Sequence, residues 1–320
     1  MRIVVIGAGA IGGAIAGRLA SSGTEVTAVA RGAHLAALQQ HGLRLISPTS
    51  DDVIRLDAVG TVNEARCDAA DAVIVATKSQ DTLSVLRELE RVAPSELPVA
   101  CAQNGVENER VALRMFPNVY GILVMCPASH LTPGQVAVHA TPVWGVLDVG
   151  RWPGSRDDGA VALATCFGAA GFLSDATADI ALLKWAKLMS NLGNAVEALF
   201  VRDEDAATVL KLVRAEGHAV LAAMGIDIER GEALLIGRAT TYQHQPAGTK
   251  RGGGSSWQSL ARGAGEIESD FLNGEISLLG RLHHVPTPAN EALRVAANRG
   301  AADAVTPGSL HASVVLDQLH

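Results

Sequence analysis

The stretch that most constrains this chain is its first twelve residues. Arg2-Ile3-Val4-Val5-Ile6 is a short, β-branched apolar run that gives way at once to Gly7-Ala8-Gly9-Ala10-Ile11-Gly12. Small, helix-compatible residues follow. G-x-G-x-x-G carries meaning only between a strand and a helix, and it has that context here. The three glycines have separate tasks. Gly7 permits the tight turn, Gly9 lets a pyrophosphate approach the backbone, and Gly12 lets helix and strand pack closely. The helix N-terminus then offers unpaired N–H groups and a partial positive charge to phosphates. A dinucleotide is expected against Gly7, Ala8, Gly9, Ala10, Ile11 and Gly12. A glycine-rich turn without a ligand is the plainer alternative.

A second strand reads Glu25-Val26-Thr27-Ala28-Val29-Ala30 and ends at Arg31-Gly32. An NAD-selective site usually places a carboxylate at this point, where it accepts a hydrogen bond from the ribose 2′-hydroxyl. No carboxylate is present. A guanidinium pairs well with a 2′-phosphate that a carboxylate would repel. Arg31 therefore favours NADP(H) over NAD(H), although solvated arginines at strand ends are common.

Composition narrows the class. At 320 residues the chain is long for one core, so two domains are expected. Aromatic residues are only 3% of the chain and the net charge is -7, which together disfavour a nucleic-acid surface. Cys67, Cys101, Cys126 and Cys166 form no C-x-x-C pair, and free thiols fit a reducing compartment. With a strand beginning at residue 2 no signal peptide is expected, and no apolar run reaches membrane-spanning length. A cytoplasmic location, without membrane or nucleic-acid partners, is expected.

The first half alternates strand and helix patterns. Strands are read at Leu43–Ser47, Ala72–Thr77, Leu97–Ala102 and Val119–Met125, with a helix from Thr82 to Arg91. Gln135–Val138 and Trp144–Val149 read as an antiparallel tail. Such alternation predicts a doubly wound parallel sheet, whose ligands bind at the carboxyl ends of the strands. Gly7, Arg31, Lys78 and Asn104 all fall at such ends. From about Ser174 the pattern turns helical. Ile180, Leu183, Lys187, Leu188, Asn191, Leu192 and Ala195 recur at three to four residues, predicting one long helix. Helices are also read at Asp203–Gly225, Ser255–Glu268, Asn273–His283 and Thr287–Asn298, with a polar loop over Thr240–Gly254. The expected fold class is α/β: a doubly wound N-terminal sheet (1–174) followed by an all-α C-terminal domain (175–320).

Lys187 and Asn191 share one helix face. A lysine flanked by Trp185 and Leu188 invites a desolvated ammonium suited to proton donation, though most such pairs are solvated helix surface. Ser256 suits an N-cap, which would put Glu268 at the far end of the same helix, roughly 18 Å away. His283 and His284 point apart on a helix and make poor joint metal ligands, so no metal is expected. Ser129 lacks the context of a hydrolase nucleophile.

The ordered set of Gly7-x-Gly9-x-x-Gly12, Arg31-Gly32, Thr77-Lys78, Gln103-Asn104-Gly105, Lys187-x-x-x-Asn191, Ser255-Ser256, Glu268-x-Asp270-Phe271-x-Asn273-Gly274 and Val285-Pro286-Thr287-Pro288 resembles ketopantoate reductase (2-dehydropantoate 2-reductase) over essentially the whole chain. The resemblance implies a Rossmann domain, a helical domain and NADPH-dependent reduction of a 2-keto acid, ketopantoate to pantoate first among them, within pantothenate biosynthesis. By that resemblance Lys187 is the general acid, Asn191 positions substrate and Ser256 binds its carboxylate. Glu268 lies near the nicotinamide ribose and the lysine. Lys78 and Asn104 contact the cofactor, and Arg31 meets the 2′-phosphate. A homodimer is compatible with it.

Four departures fall in the substrate-recognition set. The family's second asparagine is replaced by Ala195, with Asn194 one residue earlier. A downstream asparagine corresponds to Asp205, Gly252-Gly253-Gly254 replaces polar residues, and an aspartate becomes Leu260. Lys250 and Arg251 offer an alternative carboxylate site or a plain basic loop. Two other readings stay open: a same-fold reductase of another carbonyl or imine, and a non-enzymatic NADP-binding sensor.

Overall fold

Alternate residues of the opening strand feed opposite sides of one sheet, as a two-residue period requires. Ile3 and Val5 enter one core, together with Ile15, Leu19 and Phe167. Val4 and Ile6 enter the other, with Leu86, Leu89 and Phe116. All four strand residues are at most 2% exposed. Burial of each such side chain contributes about 1.5–3 kcal/mol. Near-continuous apolar strands of this kind fit a parallel sheet covered on both faces.

The computed structural model describes residues 1–245, 247 and 252–319. In chain order the elements begin β1 (Arg2–Ile6), α1 (Ala10–Ser21), β2 (Glu25–Val29), α2 (Gly32–His41), β3 (Leu43–Ile46), β4 (Asp51–Ile54), β5 (Asp57–Val59) and β6 (Ala72–Val75). They continue α3 (Thr82–Glu90), β7 (Val99–Cys101), α4 (Glu107–Ala112), β8 (Val119–Met125), β9 (Ala128–Ser129), β10 (Gln135–Val138), β11 (Ala140–Thr141), β12 (Val146–Arg151) and α5 (Asp158–Ala169). The remainder is α6 (Ile180–Asn191), α7 (Asn194–Leu199), α8 (Glu204–Ala223), α9 (Ile228–Ala239), β13 (Gln243–His244), α10 (Ser255–Ala261), α11 (Asn273–Leu282), α12 (Pro288–Ala302) and α13 (Ser313–Leu316). By contacts the chain divides into two units, Met1–Lys184 with Ile236–Arg251, and Trp185–Leu235 with Gly252–His320.

The main sheet of the first unit has the order β12-β8-β7-β6-β1-β2-β5. Every pairing is parallel except β12 on β8. This is the expected doubly wound, Rossmann-type sheet, and its order reverses between β1 and β6. Ile6 is level with Val29 and Val75, and Val75 with Cys101. Four strand ends therefore open side by side at the switch point, where such sheets bind ligands. A second sheet runs β4-β3-β10-β9. The tail read at Gln135–Val138 and Trp144–Val149 is divided between the two sheets: β12 is antiparallel on β8 as expected, whereas β10 is antiparallel to β9 but parallel to β3. Within the segment read as a loop, β13 pairs with β11.

The second unit is helical. The helix predicted through Ala195 stops at Asn191, and α7 restarts after Gly193. A Cβ at Gly193 would stand 2.9 Å from Leu210, so close packing accompanies the break. Helix α8 starts under the Asp203 cap, whose Oδ1 accepts from Ala206 N at 2.8 Å. It packs tightly on α6, because a Cβ at Gly217 would lie 2.8 Å from the sulfur of Met189. Helix α12 opens with Pro288 at its first turn. Its N–H groups at Ala289 and Asn290 donate to the Glu216 carboxylate at 2.8 and 2.9 Å. The sequence reading did not anticipate α9.

Candidate active site

The glycine turn has the geometry its spacing implies. Gly7 sits at φ +94, and a Cβ there would meet Thr77 at 2.8 Å. Its N–H and that of Ala8 both donate to Val29 O, at 3.0 and 3.1 Å. A Cβ on Gly12 would stand 2.0 Å from Gly7 O and 3.0 Å from Ala76 Cβ. Gly9, the N-cap of α1, is different: a Cβ there meets nothing within 4 Å. Two glycines are thus demanded by packing, and the third faces open space at a helix N-terminus. That cradle fits a dinucleotide pyrophosphate.

The other strand-end residues lie around this turn. Arg31 is exposed and occupies the N-cap position of α2. Lys78 is half-buried beyond β6, and Asn104 half-buried beyond β7. A buried polar network joins the last two loops. Gln103 Nε2 donates to Thr77 O at 2.9 Å and to Thr82 Oγ1 at 2.8 Å. Asn108 Nδ2 donates to Asn104 O at 3.0 Å.

Sequence reasoning missed His34, although its place three residues after Arg31 was a signal. Its Nε2 bonds Ala8 O at 2.8 Å and its Nδ1 accepts from Gly134 N at 2.9 Å. That pattern needs the neutral ring. Burial first, and the neighbouring His130 second, push its pKa down, which favours the same form.

In the second unit Asn191 is buried, and its amide nitrogen has no hydrogen-bond partner among the described residues. Lys187, one turn earlier on α6, is half-buried, with Nζ 3.5 Å from Ser190 Oγ. Ser256 and Glu268 are 2% and 5% exposed. They do not share a helix, contrary to expectation. Helix α10 ends at Ala261, Gly263 and Gly265 adopt positive φ, and Glu268 opens a separate short 3-10 turn. Nor does Ser256 cap α10, because the cap is Gly254. Asn273, at the start of α11, donates to Leu192 O at 3.2 Å and to Asn290 Oδ1 at 3.0 Å.

Ser129 Oγ lies 3.0 Å from His139 Nε2. Ala247 N donates to His139 Nδ1, which leaves Nε2 as the donor to the serine, so this histidine cannot act as the serine's base. No group of three or more potential metal ligands occurs among the described residues. Among the described residues no helix is long and apolar enough to cross a membrane. Lys250 and Arg251 lie outside the described residues.

The family model for ketopantoate reductase PanE/ApbA matches residues 3–154, and that for its C-terminal domain matches 179–299. The chain belongs to the ketopantoate reductase family. It is 31% identical to 2-dehydropantoate 2-reductase of Halobacterium salinarum, over 90% of this chain and 95% of that one. With the Mesorhizobium japonicum enzyme of the same name it shares 28%, over 94% and 99%. The crystal structure of a PanE/ApbA family ketopantoate reductase from Ralstonia eutropha matches with a TM-score of 0.78, at 29% identity and full coverage of both chains. A D-mandelate dehydrogenase solved with NADH and anilino(oxo)acetate shares the fold at a TM-score of 0.80, at 21% identity, over 95% and 99%. Membership makes this chain an oxidoreductase acting on CH–OH groups.

The departures from the ketopantoate reductase pattern now have local explanations. Ala195 and Leu260 are buried, and α7 packs on α10. Because α6 breaks at Gly193, Asn194 is not simply one step round a continuous helix. Its Oδ1 would lie 3.9 Å from a Cβ on Gly254, beside the serine pair. Gly252 and Gly253 admit the Trp257 indole, which a Cβ would meet at 2.0 and 2.5 Å. Asp205 is exposed in the first turn of α8, where a negative charge suits the helix dipole.

Proposed function

We propose that this chain reduces a small 2-keto acid to the 2-hydroxy acid with NADPH, 2-dehydropantoate to pantoate being the leading reaction. Family membership supports the reaction class, and Arg31 at a strand end without a carboxylate supports the 2′-phosphate. The observation that carries the reading is the buried amide nitrogen of Asn191, without a hydrogen-bond partner among the described residues and one turn from Lys187. A buried donor left without an acceptor is costly in the protein alone, and a bound carbonyl or carboxylate would satisfy it.

NADPH, when bound along Gly7–Gly12, Arg31, Lys78 and Asn104, supplies the hydride. Lys187 holds its ammonium at the substrate carbonyl oxygen, stabilises the negative charge that develops there and donates a proton to it. Asn191 donates a hydrogen bond that orients the substrate, and Ser256 binds its carboxylate. Glu268 binds the cofactor ribose and orients the lysine.

The test is NADPH oxidation by purified protein against a panel of 2-keto acids, with and without amines. Turnover with ketopantoate supports the leading reaction. Turnover only with another keto acid or with an amine present moves the substrate. Binding without turnover on any of them overturns the reductase reading in favour of a sensor.

A further inference from the structure

Lys184 and Glu109 form an ion pair closed to solvent on both sides. The ammonium is 2.5 Å from Glu109 Oε1, and the side chains are 3% and 0% exposed. The lysine also donates to Gln103 O at 2.8 Å. Its stem crosses β8 at Gly121, where a Cβ would stand 3.3 Å from Lys184 Cδ. Glu109 Oε2 has no hydrogen-bond partner among the described residues. Burial pushes the Glu109 carboxyl up, and Lys184 is the main influence against that shift.

Such a pair is poor value as a stabiliser. Removing two charges from water is costly, and an apolar pair of similar volume is often at least as stable. An apolar side chain, however, cannot hold a backbone carbonyl. The carbonyl held here belongs to Gln103, the first residue of the Gln103–Asn104–Gly105 turn. The Gln103 side chain ties that turn to Thr77 and Thr82, and Asn108 ties Asn104 O to Ser79 Oγ at 3.2 Å. Lys184 supplies a further anchor, from a different element. Gly105, at φ +81, lets the chain turn away immediately afterwards.

We propose that Lys184 is a positioning residue for dinucleotide binding: its hydrogen bond to Gln103 O fixes the turn that carries Asn104, and Glu109 holds the ammonium there. The proposal rests on reading the strand ends as the cofactor site. On this proposal Lys184 acts through the turn and not by contact with the ligand.

The experiment is ligand-free thermal melting together with NADPH titration of the full chain. It compares the parent, Glu109→Gln, and the double variant Lys184→Met/Glu109→Leu. The double variant leaves no charge uncompensated and melts close to the parent, yet it binds NADPH at least about tenfold more weakly. Glu109→Gln melts lower but keeps NADPH affinity within about threefold, because the glutamine amide oxygen still accepts from the ammonium and the Lys184–Gln103 bond survives. Parental affinity in the double variant overturns the proposal. A loss of affinity of tenfold or so in Glu109→Gln overturns it too, and decides the matter should the double variant not fold. A parent chain that binds neither NADPH nor NADH overturns the cofactor reading itself, and this shows before any variant is measured.

Discussion

Gly12 lies so close to Gly7 that a methyl group on the first would sit 2.0 Å from the carbonyl oxygen of the second. The contact joins the start of α1 to the end of β1 across the turn. No side chain can relieve it, because the obstructing atom is backbone. Gly12→Ala is therefore expected to destabilise the fold by at least ~2 kcal/mol through overpacking. Gly9→Ala is its control. Nothing obstructs a Cβ there, so the loss is no more than about 1 kcal/mol, that of a poorer N-cap. NADPH affinity nevertheless falls on the order of tenfold or more, since the methyl enters the pyrophosphate cradle. Urea midpoints and NADPH titrations check both; equal stability losses would remove the distinction.

Arg31→Ala tests cofactor choice. Affinity for NADPH is expected to fall about tenfold or more, and affinity for NADH to stay within about twofold, because only the former has a 2′-phosphate to pair. Parallel titrations decide it, and equal losses would contradict the assignment.

Lys187→Ala tests the proton donor. Removing a general acid lowers kcat by on the order of a hundredfold or more while NADPH binding stays nearly intact. Steady-state rates and a cofactor titration separate the two, and near-parental kcat would rule out the role.

Acid stability should carry the signature of Glu291. Arg294 donates to both its carboxylate oxygens, at 3.1 and 2.7 Å, and these bonds hold its pKa down at about 2. The unfolded carboxyl protonates nearer its ordinary 4.5. The stabilisation is therefore complete above the unfolded value and is lost as pH falls from about 4.5 toward 2. At neutral pH Glu291→Gln is less stable than the parent, and near pH 2 the two converge. Urea midpoints across that range test it, and a constant gap would contradict it.

The sheet was legible in the sequence because its signals are local. β1 after Arg2 and the whole of β6 are apolar without interruption, and the glycines and Arg31 follow strands that periodicity identifies. Ser129 could likewise be set aside before its contact with His139 was known. The helical half was less legible. The spacing from Ile180 to Ala195 continues smoothly across Gly193, so a break followed by a restart looks the same as one helix. Ser255 to Glu268 failed in the opposite way: Gly263 and Gly265 were visible, but their positive φ was not. Gly252 and Gly253 read as lost polar contacts, yet they are the space that Trp257 fills.

The sequence by itself determined the strand–helix alternation of the first half, the glycine turn and the family, since these rest on short-range pattern and residue type. Tertiary structure alone decided that Lys184, 81 residues along the chain from Gln103, holds its carbonyl, and that Glu109 faces Lys184 with no solvent between. It also decided that Gly9 opens on space while Gly12 does not. Burial and long-range contact arise only when distant segments share one interior, and no local pattern of residues records which charges that interior will enclose.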